Sequence, residues 1–204
     1  MSDLSIAQDP RELFDVVTFD DRPTGRVKAR RDVHRDGDWH RALHVWVIGV
    51  DGGGPFLTFQ RRSVAKDTWG GRLDVTVGGH FRAGETLEQT LREIDEEIGA
   101  SIPLAALTPL GLRHSVNEAE AGIVDHELQD VFFLRDDRPL REFRPNPAEL
   151  AALVRFPLGA LLPFLAGEAA TVAGETCASG SSSVERLIAT ADDLIPQIDR
   201  YFYR

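Results

Sequence analysis

The stretch Val77-Gly78-Gly79-His80-Phe81-Arg82-Ala83-Gly84-Glu85, followed six residues later by Arg92-Glu93-Ile94-Asp95-Glu96-Glu97-Ile98-Gly99, decides how the rest of the chain is read. Its second half predicts a helix over Thr86–Ile98, stopped by Gly99. On a helical wheel Glu93, Glu96 and Glu97 fall within an arc of about 100°. Leu87, Leu91, Ile94 and Ile98 form a separate apolar face, centred about 135° away. One side is therefore built to be buried, and another offers three carboxylates. Like charges in adjacent turns repel one another. Hard divalent cations relieve that repulsion, and Mg²⁺ favours carboxylate oxygens combined with substrate phosphate oxygens. Gly78, Gly79 and Gly84 let the preceding loop turn tightly and bring backbone N–H groups close to an anion. A bare E-x-x-E-E is more simply a solvated acidic helix face; the glycine-rich lead-in shifts the reading toward a cation and phosphate site.

Composition agrees with a folded domain that handles phosphates only with help. The chain has 204 residues, 42% hydrophobic and 27% charged, which suits one domain or one with a C-terminal extension. Its 23 Lys and Arg against 33 Asp and Glu give a formal charge of −10. That balance argues against a generic nucleic-acid or anionic-membrane binder, and it requires divalent cations to screen the carboxylates from a phosphate substrate. The single Cys177 excludes an intrachain disulfide and any zinc site built from several thiolates. Met1–Pro10 lacks a basic and apolar leader pattern, and the most apolar run, Ala42–Val50, is too short to span a bilayer. The expectation is a soluble, cytoplasmic protein.

Strand signals cover Leu13–Phe19, Val27–Val33, Ala42–Val50, Phe56–Arg61, Leu73–Val77, Thr108–Ser115, Leu128–Arg135 and Leu150–Phe156, with turn residues between them. Pro157–Leu165 reads as a short helix. Many strands around few helices predict an α+β or layered α/β/α domain. Gly174–Ser183 reads as a flexible linker, dividing a main domain (1–173) from a last segment (184–204). There Val184, Leu187, Ile188, Ala191, Leu194, Ile195 and Ile198 follow helical spacing and predict a C-terminal helix. That helix is expected to pack on its own domain or across a homodimer interface.

The central segment resembles the Nudix box, G-x5-E-x7-R-E-U-x-E-E-x-G-U, where U is a bulky apolar residue. Gly79 and Glu85 match at the family's spacing, and Arg92 to Gly99 match every defined position. The spacer Thr86–Leu91 is one residue short, which shifts Glu85 by one helical step, and Ala100 is small for the final apolar position. The resemblance implies a Nudix fold, an α/β/α sandwich around a mixed central sheet. It also implies Mg²⁺ or Mn²⁺ held by Glu93, Glu96 and Glu97 with Glu85. Arg92, Glu93, Glu96 and Glu97 are then the expected catalytic set.

A wider likeness, over roughly residues 11 to 160, is to the isopentenyl-diphosphate isomerase branch. It is carried by Pro23-Thr24-Gly25, His34, Trp39 to Trp46, Arg61-Arg62, Lys66, Trp69-Gly70-Gly71, Gly79-His80 and Gly122-Ile123-Val124-Asp125-His126-Glu127. It implies a second metal set of His34, His40, His80, Asp125 and Glu127, and diphosphate binding by Arg62 and Lys66 beside Gly78 and Gly79. His34 and His40 flank the acidic turn Arg35–Asp38 and by themselves read as surface or capping residues sooner than as metal ligands; His44 reads as a packed strand residue. The isomerase places a catalytic cysteine immediately before its Gly-His, where this chain has Gly78. The isomerase has also lost most of the box carboxylates, whereas Glu93, Glu96 and Glu97 are all present here. The expected function is therefore metal-dependent hydrolysis of a diphosphate linkage in a nucleoside diphosphate derivative or similar organic diphosphate. Candidate proton acceptors are Glu97, Glu118, Glu120 and Glu127. The alternatives are an isomerase, disfavoured by Gly78, or a non-catalytic nucleotide-sensing module.

Overall fold

The computed structural model describes residues 9–66, 68–117, 122–195 and 202–203. A two-stranded hairpin, β1 (Leu13–Val17) with β2 (Pro23–Ala29), leads into helix α1 (Arg30–Asp36). The main sheet contains β3 (Trp39–Asp51), β4 (Gly54–Arg62), the short β5 (Leu73–Asp74) and β6 (Val77–His80), β7 (Leu107–Asn117), β8 (Asp125–Arg135), β9 (Leu150–Pro157), β10 (Thr171–Ala178), β11 (Glu185–Thr190) and β12 (Phe202–Tyr203). Their order is β11-β10-β9-β4-β3-β8-β7-β12, with β5 on β4 and β6 on β3. β3 and β8 run parallel, from Trp39 opposite His126 to Ile48 opposite Arg135, while the other named pairs are antiparallel, so the sheet is mixed.

Strand alternation sends successive side chains to opposite faces, and each face has its own core. Leu43, Val45 and Val47 of β3 pack with Ile94 and Ile98 of the central helical segment. On the other face Phe59, Val154 and Phe156 pack with Leu161 and Phe164 of α4 (Leu158–Leu165). Helices on both faces of a mixed sheet make the expected α/β/α arrangement.

The predicted helix over Thr86–Ile98 is present with a break. Thr86 and Gln89 form a capping box that starts α2 (Leu87–Thr90), and α3 (Arg92–Ile98) follows after Leu91. At the junction Ile94 N–H bonds the Leu91 carbonyl, an i→i+3 bond that tightens the turn. Gly99 ends α3 with φ +66, as a left-handed C-cap. The apolar face expected from the spacing is buried: Ile94 and Ile98 are fully enclosed.

Three expectations are corrected. The predicted strand Val27–Val33 ends at Ala29, and Arg30–Asp36 is helical, closed by Gly37 in the left-handed region. The predicted linker Gly174–Ser183 begins inside β10, which pairs with β9 and continues the main sheet, so no domain boundary falls at residue 174. The predicted C-terminal helix is strand β11 followed by a 3₁₀ turn, Ala191–Asp193. The apolar residues there satisfy a helical period, but pairing with β10 buries Ala189 and leaves Ile188 exposed on the opposite side. Ile198 lies outside the described residues. Among the described residues no helix is long and apolar enough to cross a membrane.

The core on the α3 side sets stability. Ile94→Ala removes a fully buried side chain from the contact between α3 and β3, and is expected to cost about 2–5 kcal/mol in urea-induced unfolding.

Candidate functional site

The glycines of β6 place the backbone against α3. Gly78 N–H donates to Glu97 Oε2 at 3.1 Å. At Gly79 a Cβ would overlap the Glu93 carboxylate, so only glycine allows this approach. The loop that follows is tied down by an acid of β1 and by one of its own. Gly84, at φ +77, donates its N–H to Asp15 at 2.7 Å, and Arg82 N–H donates to Glu85 at 2.8 Å.

Arg92 joins the parts. Its Nε donates to Glu85 Oε1 at 2.8 Å and its Nη2 to Glu85 Oε2 at 3.1 Å, a two-pronged pair. Its Nη1 meets Glu93 and donates to Glu96 at 3.1 Å, and Nη2 also reaches the His80 carbonyl at 3.3 Å. Glu85, Glu93 and Glu96 are thus gathered on one guanidinium, with Glu97 behind them. Glu97 is buried and Glu93 nearly so, while Glu96 is half exposed. Burial pushes Glu93 up to about 7 against the pull of Arg92. Burial pushes Glu97 well above the usual carboxylate range, with Lys66 opposing and Glu93 adding to the rise. Arg92 and Lys66 offset the burial of these two acids only in part.

The second expected set also comes together, from four elements. His34 lies on α1, His40 on β3, His80 on β6, and Asp125 and Glu127 share one face of β8. His34 Nε2 is 3.7 Å and His40 Nε2 3.5 Å from Asp125 Oδ1, and His80 Nε2 is 2.9 Å from Glu127 Oε1. The ligand atoms of His34, His40 and His80, and of His40, Asp125 and Glu127, lie within 4.8 Å of one another in each group. The surface or capping reading of His34 and His40 is therefore wrong; both are buried. Phe14 of β1 stacks on His40 and His80, with ring centroids 5.3 and 5.0 Å away.

Hydrogen bonds fix two of the tautomers, those of His40 and His80. His40 Nδ1 lies 3.1 Å from the Asp38 carbonyl, which can only accept, so Nδ1 carries the proton and Nε2 presents a lone pair. The Nε2 atoms of His34 and His40 are buried with no hydrogen-bond partner. His80 is held the other way. Arg30 donates to its Nδ1 at 3.1 Å, leaving the proton on Nε2, where it bonds Glu127. Burial keeps the imidazoles neutral, pushing His34 down to about 2 and His80 to about 3, with Arg30 adding to both. Burial opposes ionisation of Glu127, yet the His80 bond outweighs it and holds that carboxyl well below its usual range.

Both sets open on one cleft of about 1150 Å³, which His80, Glu93, Glu96, Glu97, Asp125 and Glu127 all line. Arg62 and Lys66 line it too, but each is engaged by an acid: Arg62 with Asp74 at 3.0 Å, and Lys66 with Glu149. His44 faces Gly78 across the β3–β6 pair and lines the same cleft, rather than being sealed in the core. Glu118 and Glu120 lie outside the described residues. Arg30 and Phe14 were missed in the sequence; neither carries a motif, and Arg30 sat in a stretch with a strand signature.

Comparison with known proteins agrees with this architecture. The NUDIX domain family profile matches residues 38–174. A Nudix hydrolase of Clostridium acetobutylicum is 30% identical over 154 residues, 76% of this chain and 74% of that one. Nudix hydrolase 3 of Arabidopsis thaliana is 36% identical over 77% of this chain, but the match spans only 21% of the plant protein. An isopentenyl-diphosphate Delta-isomerase of Pectobacterium atrosepticum is 33% identical over 69% of this chain and 74% of its own length. The crystal structure of DR0079 from Deinococcus radiodurans superposes with a TM-score of 0.56 at 26% identity, covering 76% of this chain and 90% of that one. With the profile spanning most of the chain, and the box glycines, arginine and glutamates assembled as a single cluster, the chain belongs to the Nudix hydrolase family.

Proposed function

We propose that this chain hydrolyses a diphosphate linkage in a small organic diphosphate, with Mg²⁺ or Mn²⁺ held by Glu93, Glu96 and Glu97 together with Glu85. The observation that carries this reading is the gathering of Glu85, Glu93 and Glu96 on Arg92 with the buried Glu97 behind them, Glu93, Glu96 and Glu97 lining a large cleft. A divalent ion is the kind of charge that balances such a cluster. His34, His40, Asp125 and Glu127 suit a second cation, because two neutral imidazoles set their Nε2 atoms, neither of them hydrogen-bonded, within 3.7 Å of the Asp125 carboxylate. His80 fits that set less well, since Arg30 keeps its proton on Nε2. When bound, such ions polarise a phosphoryl oxygen and lower the pKa of a coordinated water.

The chain's own groups do the remaining work. Arg92 positions Glu85, Glu93 and Glu96 and does not itself need to touch substrate. Glu97 accepts the proton of the attacking water: it lines the cleft beside Glu93, and the Gly78 N–H fixes its orientation. Arg62 and Lys66 meet the diphosphate once their pairs with Asp74 and Glu149 loosen. The isomerase of the related branch uses a thiol at the position of Gly78. Glycine offers no group to move a proton there, so hydrolysis is preferred to isomerisation.

Glu97→Gln keeps shape and loses the proton acceptor. We expect a fall of about 10²–10⁴-fold in kcat, measured as phosphate release from a panel of diphosphates with Mg²⁺ or Mn²⁺. Turnover at the wild-type rate overturns the assignment. Isopentenyl diphosphate in the same panel, followed for the dimethylallyl isomer, tests the isomerase alternative.

The neutral histidines also predict a pH dependence for the cation-free chain. His34, His40, His44 and His80 all have folded pKa values below their ordinary 6.5. Below pH 6.5 the unfolded chain therefore binds protons that the folded chain refuses, and stability is lost as pH falls. Glu93, Glu97 and Asp130, all raised, act with the opposite sign as pH falls toward their ordinary values, while Glu127, held well below its range, acts with the four histidines. In the presence of a chelator Tm is expected to drop from pH 6.5 toward pH 4, with a shallower slope in His34→Asn. A flat or rising Tm contradicts the buried neutral set.

A further inference from the structure

A second cavity, of about 770 Å³, is bordered by the β3–β4 turn and by β9, β10 and β11. It shares no lining residue with the cleft of the glutamates and histidines. Glu175, Arg186 and Ile188 of its wall lie beyond residue 174, where the family match ends.

Arg155 of β9 is the buried cation of this cavity, 6% exposed. Its guanidinium lies on the Phe56 ring, with Cζ 3.6 Å from the centroid. Nη2 donates to the Arg138 carbonyl at 2.6 Å, its one hydrogen bond among the described residues. Nε is buried with no partner. Nη1 is 3.8 Å from Asp51 Oδ2, beyond hydrogen-bond reach. Asp51 is oriented by its other oxygen, Oδ1, which accepts the Gly53 N–H at 2.8 Å. A guanidinium has five N–H donors, and burying it with most of them unused is costly.

The sheet register sets a row of charges beside it. Arg155 is opposite Glu175, and Glu175 is opposite Arg186, so the three side chains share one face. Asp51, Glu175 and Arg186 are exposed. The neighbouring acids Asp136 and Asp137 are already engaged, Asp136 by Arg138 at 2.6 Å and Asp137 by the Val50 N–H at 2.9 Å. The lining thus balances two guanidiniums against two carboxylates. A lone anion would meet Asp51 and Glu175, and a lone cation would meet Arg155 and Arg186. A molecule carrying both charges avoids either repulsion.

We propose that this cavity binds a free α-amino acid, with its carboxylate on Arg155 and its ammonium on Asp51. The gap between Nη1 and Oδ2 is too long for a direct bond, yet it brings opposite charges as close as the two ends of one small zwitterion require. An α-amino acid carries both charged groups on a single carbon, which matches that spacing. Arg186 and Glu175, next along the row, add a second charge of each sign. Pro157 and Ile188 give the ligand's side chain an apolar neighbour.

The test is calorimetric titration of the full chain with L-leucine, acetate and methylammonium. A chelator is present, so that no metal in the other cleft captures the amino acid. L-leucine is expected to bind with a Kd on the order of 1 mM. Acetate and methylammonium should each bind about tenfold more weakly, because each keeps one charge-assisted bond and meets a like charge. Asp51→Asn should weaken L-leucine about tenfold, and Arg186→Gln about twofold to fivefold; both positions are exposed, so the fold is retained. The Arg155 Nε–H resonance of the ¹⁵N-labelled chain, identified by its loss in Arg155→Lys, should shift and saturate with the same Kd. Should Arg155→Lys fail to fold, the Asp51→Asn titration decides. No saturable binding up to about 10 mM, equal affinity for acetate, or an affinity unchanged in Asp51→Asn overturns the inference. Binding that leaves the Arg155 resonance unmoved also overturns it, since the amino acid then sits elsewhere.

Discussion

Arg92 is the group on which the site's geometry depends. Its guanidinium binds three glutamates and a main-chain carbonyl, with only its edge exposed to solvent. Removing one partner of a buried ion pair leaves an uncompensated charge, which is costly. Loss of Arg92 would leave Glu85 and Glu93 facing each other without a counter-ion, next to the buried Glu97. The arrangement resembles a spring held by one pin: three acids gathered on one fixed positive charge, with a fourth, Glu97, buried behind them. The short helices matter for the same reason. The spacer between Glu85 and Arg92 lacks one residue relative to the family pattern, yet the two side chains still form a two-pronged pair. The break at Leu91, with its tightened i→i+3 turn, supplies the adjustment.

The histidine set solves a different problem with the same economy. A net charge of −10 is unfavourable for any protein that must accept a polyphosphate. Around Asp125 and Glu127 the chain uses neutral imidazoles rather than more acids, so a cation bound there would keep more of its positive charge for substrate. Phe14, stacked on two of the rings, excludes water and keeps them neutral. Arg30 then sets the tautomer of His80 by bonding the one ring nitrogen that faces it.

The site was legible in the sequence where chemistry and spacing coincided. Glu93, Glu96 and Glu97 could be placed on one helix face because Ile94 and Ile98 fixed the buried face. The histidines could be collected only through a resemblance, since strand and helix spacing says nothing about His34 meeting Asp125 across α1 and β8. The C-terminal misreading has a physical cause. Leu187, Ile188, Ala191 and Leu194 fit a helical period, but a period records only where apolar residues recur, and β10 offered an unpaired edge. Backbone pairing along that edge outweighed the local preference. Similarly, the polar run Gly180–Ser183 resembles a linker by composition, yet it is the turn of a hairpin whose two strands extend the main sheet.

Gly78 and Gly79 stand side by side in β6 for unlike reasons, and the difference bears on which reaction the cleft supports. A Cβ on Gly79 would run into the Glu93 carboxylate, so that glycine is demanded by packing. A Cβ on Gly78 would meet Val75 Cγ1 at 3.1 Å and His44 Nε2 at 3.8 Å. A shift of a few tenths of an ångström by one valine methyl would make room for a side chain. Its φ is not in the left-handed region either, so the backbone does not require glycine. A cysteine could thus be housed at this position, and the chain does without one. What the glycine leaves is its N–H bonded to Glu97. The same backbone that could house a side chain at residue 78 instead turns a main-chain N–H onto the buried Glu97 carboxylate.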